Sequence, residues 1–220
     1  MNTKDRKKPA SQAADAIILA VETSSRIGSA ALARGPGLLE EVRFSGPMQH
    51  SSELFPALAG LLSRHGRVPA DIDEIHLAIG PGSFTGLRIA VALAKTMHLA
   101  KGVRIVTVDS LDVLAANLSD ALSPGTEDRE VVVPARIAAL FDAKRGQFYA
   151  SVYQHVATAP DEVSGDAQEG PGYRIPGPNN SLWQKIAPDR LMTAQEIVDG
   201  YAGPAPIGLL GDGLLYHRDK

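Results

Sequence analysis

The stretch Gly80-Pro81-Gly82-Ser83-Phe84-Thr85-Gly86-Leu87-Arg88 constrains this chain more than any other. Before it runs Ile75 to Ile79, short, apolar and strand-like; after it, Phe84 to Lys101 carries Leu87, Val91, Ala94 and Met97 at helical spacing. The Gly-Pro-Gly stop therefore predicts a strand passing into a helix through a tight turn. Such a turn can cradle an anion with backbone N–H groups at the helix N-terminus, and the same residues also make an ordinary turn capped by Ser83 or Thr85. It is not a Walker A loop, because no Gly-Lys-Ser/Thr follows, and it misses the dinucleotide fingerprint, because Gly86 falls one position late. Ser83 adjoins Gly82, which excludes a nucleophile elbow.

Around this junction the elements fall into a pattern. Ile17 to Val21 is a buried-strand run ending in Glu22-Thr23-Ser24-Ser25, and Gly28 to Ala33 and Leu38 to Phe44 flank the hairpin punctuation Arg34-Gly35-Pro36-Gly37. Ser51-Ser52-Glu53 precede Leu54, Leu58, Leu61 and Leu62 at helical spacing, with Pro56 in the tolerant first turns. Arg104 to Val108 reads as a strand and Ser110 to Leu118 as a helix, giving the order β-β-β-α-β-α-β-α. A polar loop over 119–130 leads to strands at Val131 to Val133, Ile137 to Phe141 and Phe148 to Tyr153, the last two joined by Asp142-Ala143-Lys144-Arg145-Gly146. Ala157 to Asn180 is aperiodic and reads as a loop; Thr193 and Glu196 form a capping box for a helix to Tyr201, and Ile207 to Leu210 is a strand closed by Gly211-Asp212-Gly213. Two meanders in one chain suggest two related lobes.

Composition narrows the chemistry. The 220 residues contain no cysteine, so disulfides, thiolate metal sites and a cysteine nucleophile are excluded, and a net charge of -3 argues against a globally basic nucleic-acid binder. The longest apolar runs, Ala16 to Val21 and Ile89 to Ala94, fall far short of the ~20 residues of a membrane span. Lys4, Arg6, Lys7 and Lys8 resemble a signal-peptide start, but Asp15 and the short apolar stretch after it favour a solvated leader over 1–15 and a cytoplasmic protein. The six histidines show no metal-binding spacing. Glu22, Thr23 and Ser24 offer a carboxylate for a hydrated cation and hydroxyls for phosphate oxygens, or else a plain cap and turn. Asp142 opens a hairpin in which Lys144 and Arg145 either meet phosphate or decorate a solvated turn.

Together, Ile18-Leu19-Ala20-Val21-Glu22-Thr23-Ser24, His50-Ser51-Ser52-Glu53, Gly80 to Arg88, Val106-Thr107-Val108-Asp109-Ser110-Leu111 and Phe141 to Tyr149 resemble the TsaB family, formerly YeaZ. The resemblance implies an α/β, actin-like (ASKHA, ribonuclease H-like) fold of two lobes, each a mixed sheet flanked by helices, over 16–120 and 131–220. It implies a non-catalytic relative of TsaD that works with a TsaD homologue and the ATPase TsaE in making threonylcarbamoyladenosine in tRNA. The tRNA is reached through the complex, and the chain alone forms a homodimer.

No intrinsic cofactor or metal is implied, while ATP or ADP with Mg is placed at the interface with partners. Ser110 and Leu114 stand where catalytic relatives carry two metal-binding histidines, and Lys144 and Arg145 follow Asp142 where glycines would admit phosphate. The implied interface lies on the helices Ser51 to Arg64 and Phe84 to Lys101, with Leu54, Phe84, Leu87, Arg88, Val91 and Ala94 as contacts. The alternative is a free-standing ATPase or M22-type peptidase of the same fold. The chain stops at Lys220, soon after the glycine turn, so the second lobe reads as shortened, either as a minimal lobe or as a truncated sequence.

Overall fold

A computed structural model describes residues 15–47, 49–121, 133–156, 174–176 and 181–216. Residues 1–14 of the proposed leader, most of the loops at 119–130 and 157–180, and residues 131 and 132 of the proposed strand Val131 to Val133 lie outside them. The chain divides into two units, one reaching Ile79 and including Ser83–Val108, the other comprising Gly80–Gly82 and everything from Asp109.

The first unit has a sheet of order β3-β2-β1-β4-β5, from β1 (Ile17–Glu22), β2 (Ser29–Arg34), β3 (Gly37–Arg43), β4 (Glu74–Ala78) and β5 (Arg104–Val108). β1 is antiparallel to β2 and parallel to β4, with Leu19 opposite both Leu32 and Ile75. Burial alternates along β1, so Ile17, Leu19 and Val21 face the core with Ala30, Leu32, Ile75 and Leu77. Helices α1 (His50–Arg64) and α2 (Phe84–Lys101) cover that face. Leu54, Leu58, Leu61 and Leu62 of α1 are at most 7% exposed, and each such leucine contributes roughly 1.5–3 kcal/mol. At the end of α1, Arg64 and His65 both reach Glu40 on β3, and the guanidinium first, then the imidazole, hold that carboxyl below its ordinary range.

The second unit repeats the plan. β6 (Arg136–Asp142), β7 (Gln147–Val156) and β9 (Leu182–Thr193) form an antiparallel meander, and β10 (Ile207–Leu210) lies parallel beside β6. The short β8 (Arg174–Pro176) adds to the outer edge of β9. Helix α3 (Ser110–Ala121) covers one face through Leu111 and Ala115; α4 (Ala194–Tyr201) and α5 (Gly213–Tyr216) lie on the other with Ile197 and Leu214. α3 therefore belongs to the second unit, not to a first lobe running to residue 120, because its buried side chains pack on Ile137, Ala139 and Tyr153. The sequence reading also missed β8, the twelve-residue β9 and α5.

Gly211 closes this unit. Its φ is +127°, and a Cβ there would stand 1.9 Å from the Leu140 carbonyl oxygen, so only glycine fits between β10 and β6.

Candidate functional site

The Glu22 loop and the Ser83–Gly86 end of the glycine turn are stitched together inside the first unit. Glu22 Oε1 accepts hydrogen bonds from Ser24 Oγ at 2.6 Å, from the Ser25 amide at 3.2 Å and from the Ser24 amide. Thr23 Oγ1, fully buried, donates to the Gly86 carbonyl at 2.8 Å, and the Ser83 amide donates to the Ser24 carbonyl at 2.6 Å. Ser83 caps α2 by accepting from the Gly86 amide at 3.3 Å. The plain cap-and-turn reading of these residues thus describes their bonds: the hydroxyls proposed for phosphate are spent on Gly86 and Glu22.

On the other side of the turn, the Gly80 amide donates to Ser110 Oγ at 3.0 Å and the Ser110 amide to the Gly80 carbonyl at 2.8 Å. Ser110 is buried and holds the backbone turn at Gly80 in place. Among the described residues, no group of histidine, aspartate and glutamate is arranged to hold a metal ion.

Asp142 ends β6 and is also engaged internally. It accepts from the Lys144 amide at 2.9 Å and from Lys144 Nζ at 2.7 Å. Lys144, Arg145 and Gly146 take φ values of +69°, +56° and +77°, and the Gln147 amide closes the turn onto the Lys144 carbonyl. Each left-handed non-glycine residue costs about 1–2 kcal/mol, and their side chains stand where glycine would leave bare amides. Glu22 and Asp142 thus accept from their own loops' donors, and side chains rather than glycines line the second hairpin.

The partner-facing residues separate into two sets. Leu54 and Ala94 are 0% and 2% exposed, packed in the core of their own unit, so neither is available as a contact; the residues that turn α1 and α2 inward are the ones the helical spacing marks most strongly. Leu87 and Val91 are half-buried, whereas Phe84 is 73% exposed with the Arg88 guanidinium 5.3 Å from its ring centroid. Phe55 on α1 and Leu99 on α2, 58% and 85% exposed, join them and were not anticipated. α2 contains no acidic residue. A cavity of about 420 Å³ lies elsewhere on this unit, lined by Glu74, His98, Gly102, Arg104, Ile105 and Val106.

A meander with a parallel strand beside its first member, built twice and flanked by helices, defines the actin-like class of two-unit proteins. The chain belongs to the family whose model is described as TsaD, tRNA N6-adenosine threonylcarbamoyltransferase, which matches residues 46–198. It is 37% identical over 138 residues to the tRNA threonylcarbamoyladenosine biosynthesis protein TsaB of Bacillus subtilis, covering 63% of this chain and 55% of the relative. It is 27% identical to the protein of the same description from Escherichia coli, covering 62% and 54%. The chain thus spans about half the length of these curated relatives. The solved structure of YeaZ from Pseudomonas aeruginosa superposes with a TM-score of 0.64 at 22% identity, over 92% of this chain and 79% of that one, and establishes the shared fold.

Proposed function

We propose that this chain is an accessory subunit of the machinery that makes threonylcarbamoyladenosine in tRNA, supporting a TsaD homologue together with a TsaE-type ATPase and carrying no chemistry of its own. The observation that carries this reading is the internal use of both candidate loops: Glu22, Ser24, Thr23 and Asp142 are bonded within their own unit. The names of the TsaB relatives support the same pathway. In this reading any ATP or ADP with Mg sits at an interface with partners, tRNA is reached through the complex, and the work is cytoplasmic. No helix among the described residues is long and apolar enough to cross a membrane.

The docking surface proposed is the exposed strip of α2 and α1, namely Phe84, Arg88, Leu99 and Phe55, which takes the TsaD homologue or, in its absence, a second copy. Exposed aromatic side chains beside an arginine have the composition of an interface centre. The test is formation of threonylcarbamoyladenosine from threonylcarbamoyl-AMP and tRNA by the cognate TsaD and TsaE homologues, with and without this chain. Product that depends on the chain, with none from the chain alone, supports the reading. Product from the chain alone would establish a free-standing enzyme, and no effect on the partners would remove the accessory role. Leu99→Asp with Phe84→Asp is expected to abolish capture of the TsaD homologue while leaving the thermal unfolding midpoint unchanged, since both positions are exposed.

A further inference from the structure

The second unit holds a charged cluster that neither candidate loop uses. Lys185 of β9 projects its ammonium among three carboxylates: Asp189 at 2.5 Å, Asp112 at 3.0 Å and Asp109 at 3.5 Å. Tyr153 of β7, opposite Lys185 in the ladder, donates its hydroxyl to Asp112 at 2.5 Å. The Lys185 and Asp112 side chains are 10% and 6% exposed. Three elements contribute groups around the ammonium: Asp109 and Asp112 from the start of α3, Tyr153 from β7, and Asp189 from β9 itself. Three aspartates against one lysine leave the cluster with a formal charge of -2, counted from these four side chains.

The position of the cluster gives it a role. Asp109 is the first residue of the second unit after β5, and Ser110 next to it makes the reciprocal pair of bonds with Gly80, the first residue of the Gly80–Gly82 segment of that unit. The chain passes between units three times, and two of those passages, Ile79–Gly80 and Val108–Asp109, are fastened at the first turn of α3. We propose that this turn is a charge-locked anchor for these two crossings, with Lys185 as the lock, and that it tightens as mild acid relieves the surplus of negative charge.

The titration directions agree with the geometry. Burial alone would lower the Lys185 ammonium, but its bonds to Asp189 and Asp112 raise it above its ordinary value. Burial raises Asp189; Lys185 counters it, and the charges of Asp109 and Asp112 add to the rise. Burial first, then the neighbouring Asp112, raises the Tyr153 phenol. The raised lysine contributes stability that is complete below its unfolded value and lost as pH climbs through the folded one. The raised Asp189 works the other way among carboxylates: its ionised form is disfavoured by folding, so stability grows as pH falls through its folded value.

The experiment is hydrogen exchange on the full chain, read at the Gly80 and Ser110 amides after correction for intrinsic rates, with unfolding followed in parallel. In Lys185→Met, exchange at both amides is expected to rise at least about tenfold at about pH 8 and to return most of the way towards wild type at about pH 5.5, as the buried Asp189 takes up a proton. Lys185→Arg keeps the charge and is expected to restore protection at both pH values. A deficit in Lys185→Met of equal size at both pH values, or one that arginine fails to repair, would show a packing role and overturn the proposal. Should Lys185→Met fail to fold, Asp189→Asn decides: retained protection at neutral pH with a flattened pH dependence supports the lock, and loss of protection overturns it.

Discussion

β1 and β6 occupy the same place in their sheets, each with an antiparallel neighbour on one side and a parallel one on the other. Yet β1 alternates buried and half-buried residues, whereas Ile137 to Phe141 of β6 are buried without a break. The difference is in what covers them. Among the described elements, α1 and α2 share one face of the first sheet, leaving Ile18, Ala20, Ala31, Ala33 and His76 half-buried on the other. The second sheet carries a core on each face, one under α3 and one under α4 and α5. The same strand plan tolerates different layering, and the hydrophobic pattern along the central strand records which layering was adopted.

Gly211→Ala should separate the units most sharply. A methyl group 1.9 Å from a backbone oxygen cannot be accommodated by a rotamer change, so a cost of about 3 kcal/mol or more is expected in the second unit alone. The single tryptophan, Trp183, is buried in that unit, so its fluorescence transition in urea should move to lower concentration while a first-unit hydrogen-exchange core keeps its protection. A parallel loss of first-unit protection would show that the two units unfold as one.

A smaller effect tests the layering itself. Ala138→Leu overfills a covered face and is expected to cost about 1–3 kcal/mol, whereas Ala31→Leu, on the half-buried face of the first sheet, should stay within about 0.5 kcal/mol. Equal costs by denaturant titration would mean that the first sheet is as tightly covered as the second. The smallest effect is at α4, where Thr193→Ala removes a cap worth about 1 kcal/mol. The backbone and side-chain hydrogen bonds from Thr193 hold the Glu196 carboxyl below its ordinary value, so its contribution is present above the unfolded value and lost as pH falls through the folded one. The Thr193→Ala deficit should accordingly shrink in acid melts.

The first unit was legible because its signals are local. Alternation in β1, the leucine spacing of α1 and the Gly-Pro-Gly stop each sit within a few residues. β9 was not, since Pro188, Asp189 and Arg190 interrupt its pattern, and two register shifts let the strand absorb them only by pairing with β7 some forty residues earlier in the chain. Losing β9 hid Lys185 as well, because a lysine becomes a lock only beside the aspartates that the fold brings to it. The same limit explains Leu54 and Ala94: helical spacing shows that a face is apolar, and only packing shows whether that face is spent on the unit's own core.

Gly80–Gly82 are borrowed from the middle of the first unit by the second, and Ser110 holds them there. During synthesis that debt runs against the direction of the ribosome. The whole first sheet leaves the exit tunnel before the serine that fastens its glycine turn. The nascent first unit therefore waits with that turn untethered until α3 follows it out of the tunnel.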